Sequence, residues 1–180
     1  MTPDITGKNS NQNPQCYSGR EMILLATELE KAGHALYRQA QKLAPTHQVA
    51  GIFKMMGQEE LDHIKIINRE IAPLFEKYES SWESDEVVAG YLKGRLDPDI
   101  FPDEKKLGEI LRKIKTETQA IDLCLEGEYK SVSFYRDMIS KLKICYGGEC
   151  SSGIGAVEKI LAEEEKHVEK LKKLREELAK

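Results

Sequence analysis

Two Glu-x-x-His pairs stand in this sequence, Glu60 with His63 and Glu164 with His167. Residues three apart on a helix share a side, so each pair could aim one carboxylate and one imidazole at a common point. Each pair also replaces two apolar residues in a stripe of three-or-four spacing. The first stripe reads Val49, Phe53, Met56, Glu60, His63, Ile67, Ile71; the second reads Val157, Ile160, Glu164, His167, Leu171, Leu174. Glu30 interrupts a third stripe between Ile23 and Tyr37, and Glu128 a fourth between Leu125 and Val132. Stripes of this period face a core, so the spacing predicts four buried carboxylates. Buried carboxylates without partners are costly and tend to take up protons instead. Two divalent cations would balance four carboxylates, with two neutral imidazoles adding no charge. The predicted chemistry is that of a di-metal centre.

In the run "AEEEKHVEKL" (162–171), Glu165 points nearly opposite to His167, whereas Glu163 and Glu164 both share the histidine's side. Spacing alone does not separate those two. The Glu-x-x-His arrangement of bundle metal sites selects Glu164, and Glu60 over Glu59. An internal repeat supports the choice: "ELEKAGHALY" (28–37) and "EGEYKSVSFY" (126–135) share Glu-x-Glu-x6-Tyr, and a Glu-x-x-His follows each. The intervals Glu30 to Glu60 and Glu128 to Glu164 are 30 and 36 residues. At about 1.5 Å per residue, each lets a helix rise, turn and return to the same height.

The elements that must position these side chains are four long helices, over about 19–43, 46–78, 117–143 and 152–180. The Thr116/Gln119 pair resembles a capping box opening the third. "LAPTH" and "CYGGECSSG" are short turns, which imply antiparallel neighbours. Between the hairpins lies a long crossover, about 79–115, expected to hold short helices around Asp85–Leu96 and Glu104–Ile114. The expectation is an all-α fold: an antiparallel four-helix bundle over 19–180 behind a polar, flexible tail over 1–18.

The chain has 180 residues and a formal net charge of −4, which argues against a polyanion-binding surface. No apolar run approaches the roughly 18–20 residues of a membrane span, and no signal peptide is legible. Cytoplasmic location and reduced thiols are therefore expected for Cys16, Cys124, Cys145 and Cys150. Cys145 and Cys150 form one loose CxxxxC pair, where a zinc or rubredoxin-type site needs two close pairs.

At these residues the chain resembles the ferritin-like superfamily, specifically the rubrerythrin-like di-iron proteins. The motifs are Glu30, Glu60-x-x-His63, Glu128 and Glu164-x-x-His167, and the resemblance covers the bundle. It implies a ferritin-like fold and a carboxylate-bridged pair of iron ions reacting with dioxygen or hydrogen peroxide. Glu60 and Glu164 would bridge, Glu30 and Glu128 would be terminal, and each histidine would bind one metal. It also implies a homodimer. The chain lacks the two-CxxC rubredoxin-like domain of full-length rubrerythrins, so an external electron donor, such as a rubredoxin-like protein, is expected. Where those proteins carry a further glutamate one turn after the third-helix ligand, this chain has Ser131.

His34, one turn after Glu30, reads either as a partner or added ligand of the centre or as a polar residue at the seam's edge. Tyr37 and Tyr135, each seven residues after a ligand glutamate, read as core residues or as hydroxyls bonded to a ligand. His47 reads as solvated. Carboxylate and imidazole ligands suit Fe, Mn and Zn alike. Beside the oxidoreductase stand two other readings of the centre: iron handling by ferrous oxidation and storage or transfer, and a non-enzymatic, metal-stabilised binding module.

Overall fold

The computed structural model describes residues 19–44, 46–73, 104–146 and 151–178. All secondary structure among them is helical, with no strand. Helix α1 runs Gly19–Leu43, α2 His47–Ile66, α3 Glu104–Lys113, α4 Glu117–Tyr146 and α5 Ser151–Leu178. Thr46 caps α2: its hydroxyl accepts from the Val49 backbone N–H at 3.2 Å. The expected capping box opens α4, with the Gln119 N–H on Thr116 Oγ1 and the Thr116 N–H on Gln119 Oε1, both at 3.2 Å. These reciprocal bonds satisfy donors that a helix start leaves orphaned.

One feature departs from the expected uniform second helix. Beyond Ile66 the backbone widens into a π-helical segment, Ile67–Ile71. The wider turn is invisible to the apolar pattern, because five residues are too few to distinguish its period from that of an α-helix, and Ile67 and Ile71 stay buried either way. The Glu104–Ile114 expectation corresponds to α3, which packs on α1. The Asp85–Leu96 expectation, the 1–18 tail and the end of the second predicted helix lie outside the described residues.

Helix α1 packs along α2 and α4 along α5, while α1 touches α4 and α2 touches α5. Every position named in the α2 and α5 stripes is buried, as are Ile121, Leu125, Val132, Tyr135 and Leu142 of α4. On α1 the stripe is shifted from its expected start. Ile23 is only partly buried, and Met22, Leu25, Ala26 and Leu29 take the core.

The apolar residues form two clusters rather than one core. One gathers Met22 and Ala26 of α1, Ile67 and Ile71, Met138 and Leu142 of α4, and Val157 and Ile160 of α5. The other gathers Ala40, Val49, Phe53 and Met56 with Ile121, Leu125, Leu171 and Leu174. The start of α1 thus meets the end of α2, and the end of α4 meets the start of α5, so both hairpins are antiparallel. Between the two clusters lies a layer of buried charge: Glu30, Glu60, His63, Glu128, Glu164 and His167.

Two glycines let α1 and α2 approach at this layer. A Cβ on Gly33 would stand 3.2 Å from the Glu60 carboxyl carbon and from its Oε1. One on Gly57 would stand 3.2 Å from Tyr37 Cβ.

Candidate metal centre

Four helices each lend one carboxylate to the buried layer, and α2 and α5 each add an imidazole. The ligand atoms fall into two groups, Glu30–Glu60–His63–Glu164 and Glu60–Glu128–Glu164–His167. Within each group the atoms lie within 4.8 Å of one another. Either group could hold a metal ion, and Glu60 and Glu164 belong to both. All six residues are at most 3% exposed.

The spacing around each imidazole is informative. His63 Nδ1 lies 2.9 Å from Glu164 Oε1, 3.1 Å from Glu30 Oε2 and 3.3 Å from Glu60 Oε2. A single N–H serves one good acceptor, and only the Glu30 contact has hydrogen-bond geometry. His167 Nδ1 lies 3.4 Å from Glu128 Oε2, 3.8 Å from Glu164 Oε2 and 3.9 Å from Glu60 Oε1. The two rings stand 5.8 Å apart, stacked at 26°. Glu128 Oε2, both oxygens of Glu164 and His167 Nδ1 are buried without any hydrogen-bond partner. Buried polar atoms are nearly always satisfied. Orphaned lone pairs that converge from two helices, α4 and α5, are the donor set a cation requires, and nitrogen with carboxylate oxygen suits iron, manganese or zinc.

Behind the six residues a set of bonds crosses between elements. The Tyr37 hydroxyl of α1 donates to Glu128 Oε1 of α4, and the Tyr135 hydroxyl of α4 donates to Glu30 Oε1 of α1. His63 Nε2 of α2 donates to Glu163 Oε2 of α5 at 3.0 Å, and His167 Nε2 of α5 donates to Glu59 Oε2 of α2 at 2.9 Å. With Nε2 carrying the proton, a neutral ring leaves its Nδ1 lone pair for the centre.

Without cations the layer is electrostatically conflicted. Burial pushes Glu164 up to about 8 and Glu128 up to about 7. Glu60 is raised well above the ordinary carboxylate range, by burial and then by the charge of Glu164. Burial works against ionisation of Glu30 too, but hydrogen bonds from His63 and Glu60 outweigh it and hold that carboxyl low. His63 would be lowered by burial, yet the carboxylates of Glu164, Glu30 and Glu60 close around its Nδ1 raise it far above the usual imidazole range. His167 is lowered, mainly by burial. Burial and the neighbouring glutamates raise both tyrosines, so they remain protonated donors. In this state protons do the work that divalent cations would do.

All six residues expected at the centre are brought together, and both tyrosines touch it, Tyr37 through Glu128 and Tyr135 through Glu30. His34 joins neither group; its Nδ1 donates to the Gly57 carbonyl at 2.6 Å. His47 is exposed at the start of α2, as expected. Ser131 is buried one turn after Glu128 and stands in neither group. Cys124 is a buried free thiol, raised by burial and by Glu128. The side chains of Cys145 and Cys150 lie outside the described residues, as does Cys16.

Sequence reasoning passed over Glu59 and Glu163, each the neighbour of a chosen ligand. The signal was present as the doubled glutamate before each pair, Glu59-Glu60 and Glu163-Glu164. The second carboxylate of each doublet goes to the centre and the first goes behind the opposite histidine. Comparison of the chain with protein-family models, with curated proteins and with solved structures gives no match.

Proposed function

We propose that this chain is a ferritin-like four-helix bundle of the rubrerythrin-like kind, which holds two iron ions and acts as an oxidoreductase on hydrogen peroxide or dioxygen. The observation that carries the proposal is the pair of four-residue groups sharing Glu60 and Glu164, with orphaned lone pairs converging on both. Glu30 and His63 would complete one position, Glu128 and His167 the other. Two ferrous ions held there would supply the two electrons that, with two protons from solvent, reduce one hydrogen peroxide to two waters.

The chain's own residues supply the setting for that chemistry. The apolar clusters above and below the layer exclude water, so the carboxylates act at low dielectric. Tyr37 and Tyr135 hold one oxygen of each terminal glutamate, Oε1 of Glu128 and Oε1 of Glu30. That leaves the Oε2 atoms for the metal. Glu163 and Glu59 fix the tautomer and ring angle of the two histidines. Reducing equivalents that return the ions to Fe(II) would come from an external donor such as a rubredoxin-like protein.

The test is anaerobic loading of the metal-free chain with Fe(II), followed by peroxide. The expected result is two ions bound per chain, and one peroxide consumed for every two ferrous ions oxidised. Glu60→Ala and Glu164→Ala each remove a ligand from both positions and should abolish occupancy. Unchanged metal content in both variants overturns the proposal.

A further inference from the structure

The two halves of the centre match residue for residue until their outer edge. Behind His167, Glu59 is gripped by Lys170, whose Nζ lies 3.1 Å from Oε1 and 3.0 Å from Oε2. Lys170 stands one turn after His167; one turn after His63 the chain has Ile66, which packs against the apolar cluster. Glu163, behind His63, has no lysine or arginine within 4.0 Å among the described residues, and its contact there is His63 alone.

We infer that Lys170 makes the two metal positions unequal, so that the position served by His63 binds the first ion and the position served by His167 binds the second more weakly. This rests on the di-metal reading above. A carboxylate behind a metal-bound imidazole draws on its N–H and raises the basicity of the other nitrogen. Glu163 does so with no lysine or arginine sharing its charge among the described residues. Glu59 shares its charge with an ammonium on both oxygens, so it polarises His167 less. The ammonium also adds a positive charge on the His167 side of the centre, which disfavours a cation at that position. Lys170 is thus a positioning residue acting through Glu59, touching neither metal position itself.

Removing an outer partner of a metal-bound histidine changes affinity by about 10- to 100-fold. Partial neutralisation of one such partner is expected to separate the two steps by roughly fivefold beyond the statistical factor. The experiment is an anaerobic calorimetric titration of the metal-free full chain with Co(II), with visible absorption followed in parallel. Four variants accompany it: Lys170→Met, Lys170→Arg, His63→Gln and His167→Gln.

Lys170→Met should strengthen the second step severalfold and leave the first in place. Lys170→Arg, which keeps the charge, should preserve the gap. The single ion held by His167→Gln should bind more tightly than the single ion held by His63→Gln. Two equal steps in the native chain, or a gap that Lys170→Met leaves unchanged, overturn the inference while leaving the di-metal reading intact. Fewer than two ions bound by the native chain overturns both.

Discussion

Glu164 contributes two buried oxygens with no hydrogen bond to either, and this shapes how the metal-free protein should respond to pH. Its folded-state value of about 8 lies well above the ordinary 4.5, and burial is the first cause. A raised carboxyl contributes stability that is complete below the ordinary value and is lost as pH rises through the folded one. Glu128, raised to about 7, acts in the same sense, as does His63. Glu30 and His167, both lowered, act in the opposite sense, but only below about pH 6.5. Urea titrations of the metal-free chain should therefore show stability falling between about pH 6.5 and 8.5. A divalent metal should flatten that slope, since the carboxylates then ionise against cations; a flat profile without metal would contradict the assignment.

The tyrosines give a second expectation at the residue scale. Tyr37→Phe leaves Glu128 Oε1 without its donor, and Tyr135→Phe does the same to Glu30 Oε1. A buried polar atom stripped of its partner costs about 1–3 kcal/mol, so both variants should lower unfolding free energy by that order and by similar amounts. A large loss in one and none in the other would show that Glu128 and Glu30 are not equivalent.

At the scale of elements, Gly33 sets helix propensity against the site. Gly→Ala within a helix ordinarily gains about 1 kcal/mol. Here the added carbon would stand 3.2 Å from the carboxyl group of Glu60, which belongs to both candidate groups. Gly33→Ala should raise the helicity of α1 and lower metal affinity, a split that circular dichroism and metal titration together would read. Equal or improved affinity would show that Glu60 has slack.

The elements also show what the linear pattern could and could not carry. The four long helices and the six buried polar residues were legible, because period and burial are coupled: an apolar stripe interrupted by Glu and His has one physical meaning. The cap at Thr116 was legible for a similar reason, as its two bonds are local. The π-segment was not, since Ile67 and Ile71 satisfy either period. The roles of Glu59 and Glu163 were not legible either. Their acceptor geometry is set by the opposite helix, and spacing within one helix carries no information about its neighbour. The same holds for Lys170, whose partner lies 111 residues away.

At the scale of the whole molecule, the charged layer divides the apolar interior in two. Folding alone leaves that layer conflicted, so the native state should gain disproportionately from metal. A ligand at 100 times its dissociation constant adds about 2.7 kcal/mol, and two ions add more. The melting temperature should rise with Fe(II), Mn(II) or Zn(II) and fall on chelation. An unresponsive melting curve in all three would leave the buried carboxylates unexplained.

The crossed bonds from His63 to Glu163 and from His167 to Glu59 have a mechanical consequence. Each imidazole on one hairpin is braced by the other hairpin, so neither ring can keep its aim if α2 and α5 slip or separate. The centre therefore gauges the fit between the two halves of the fold. Loosened packing beside the layer, for instance Leu161→Ala at a side chain that packs against both apolar clusters, should be felt as weakened metal retention while each hairpin still holds its helices.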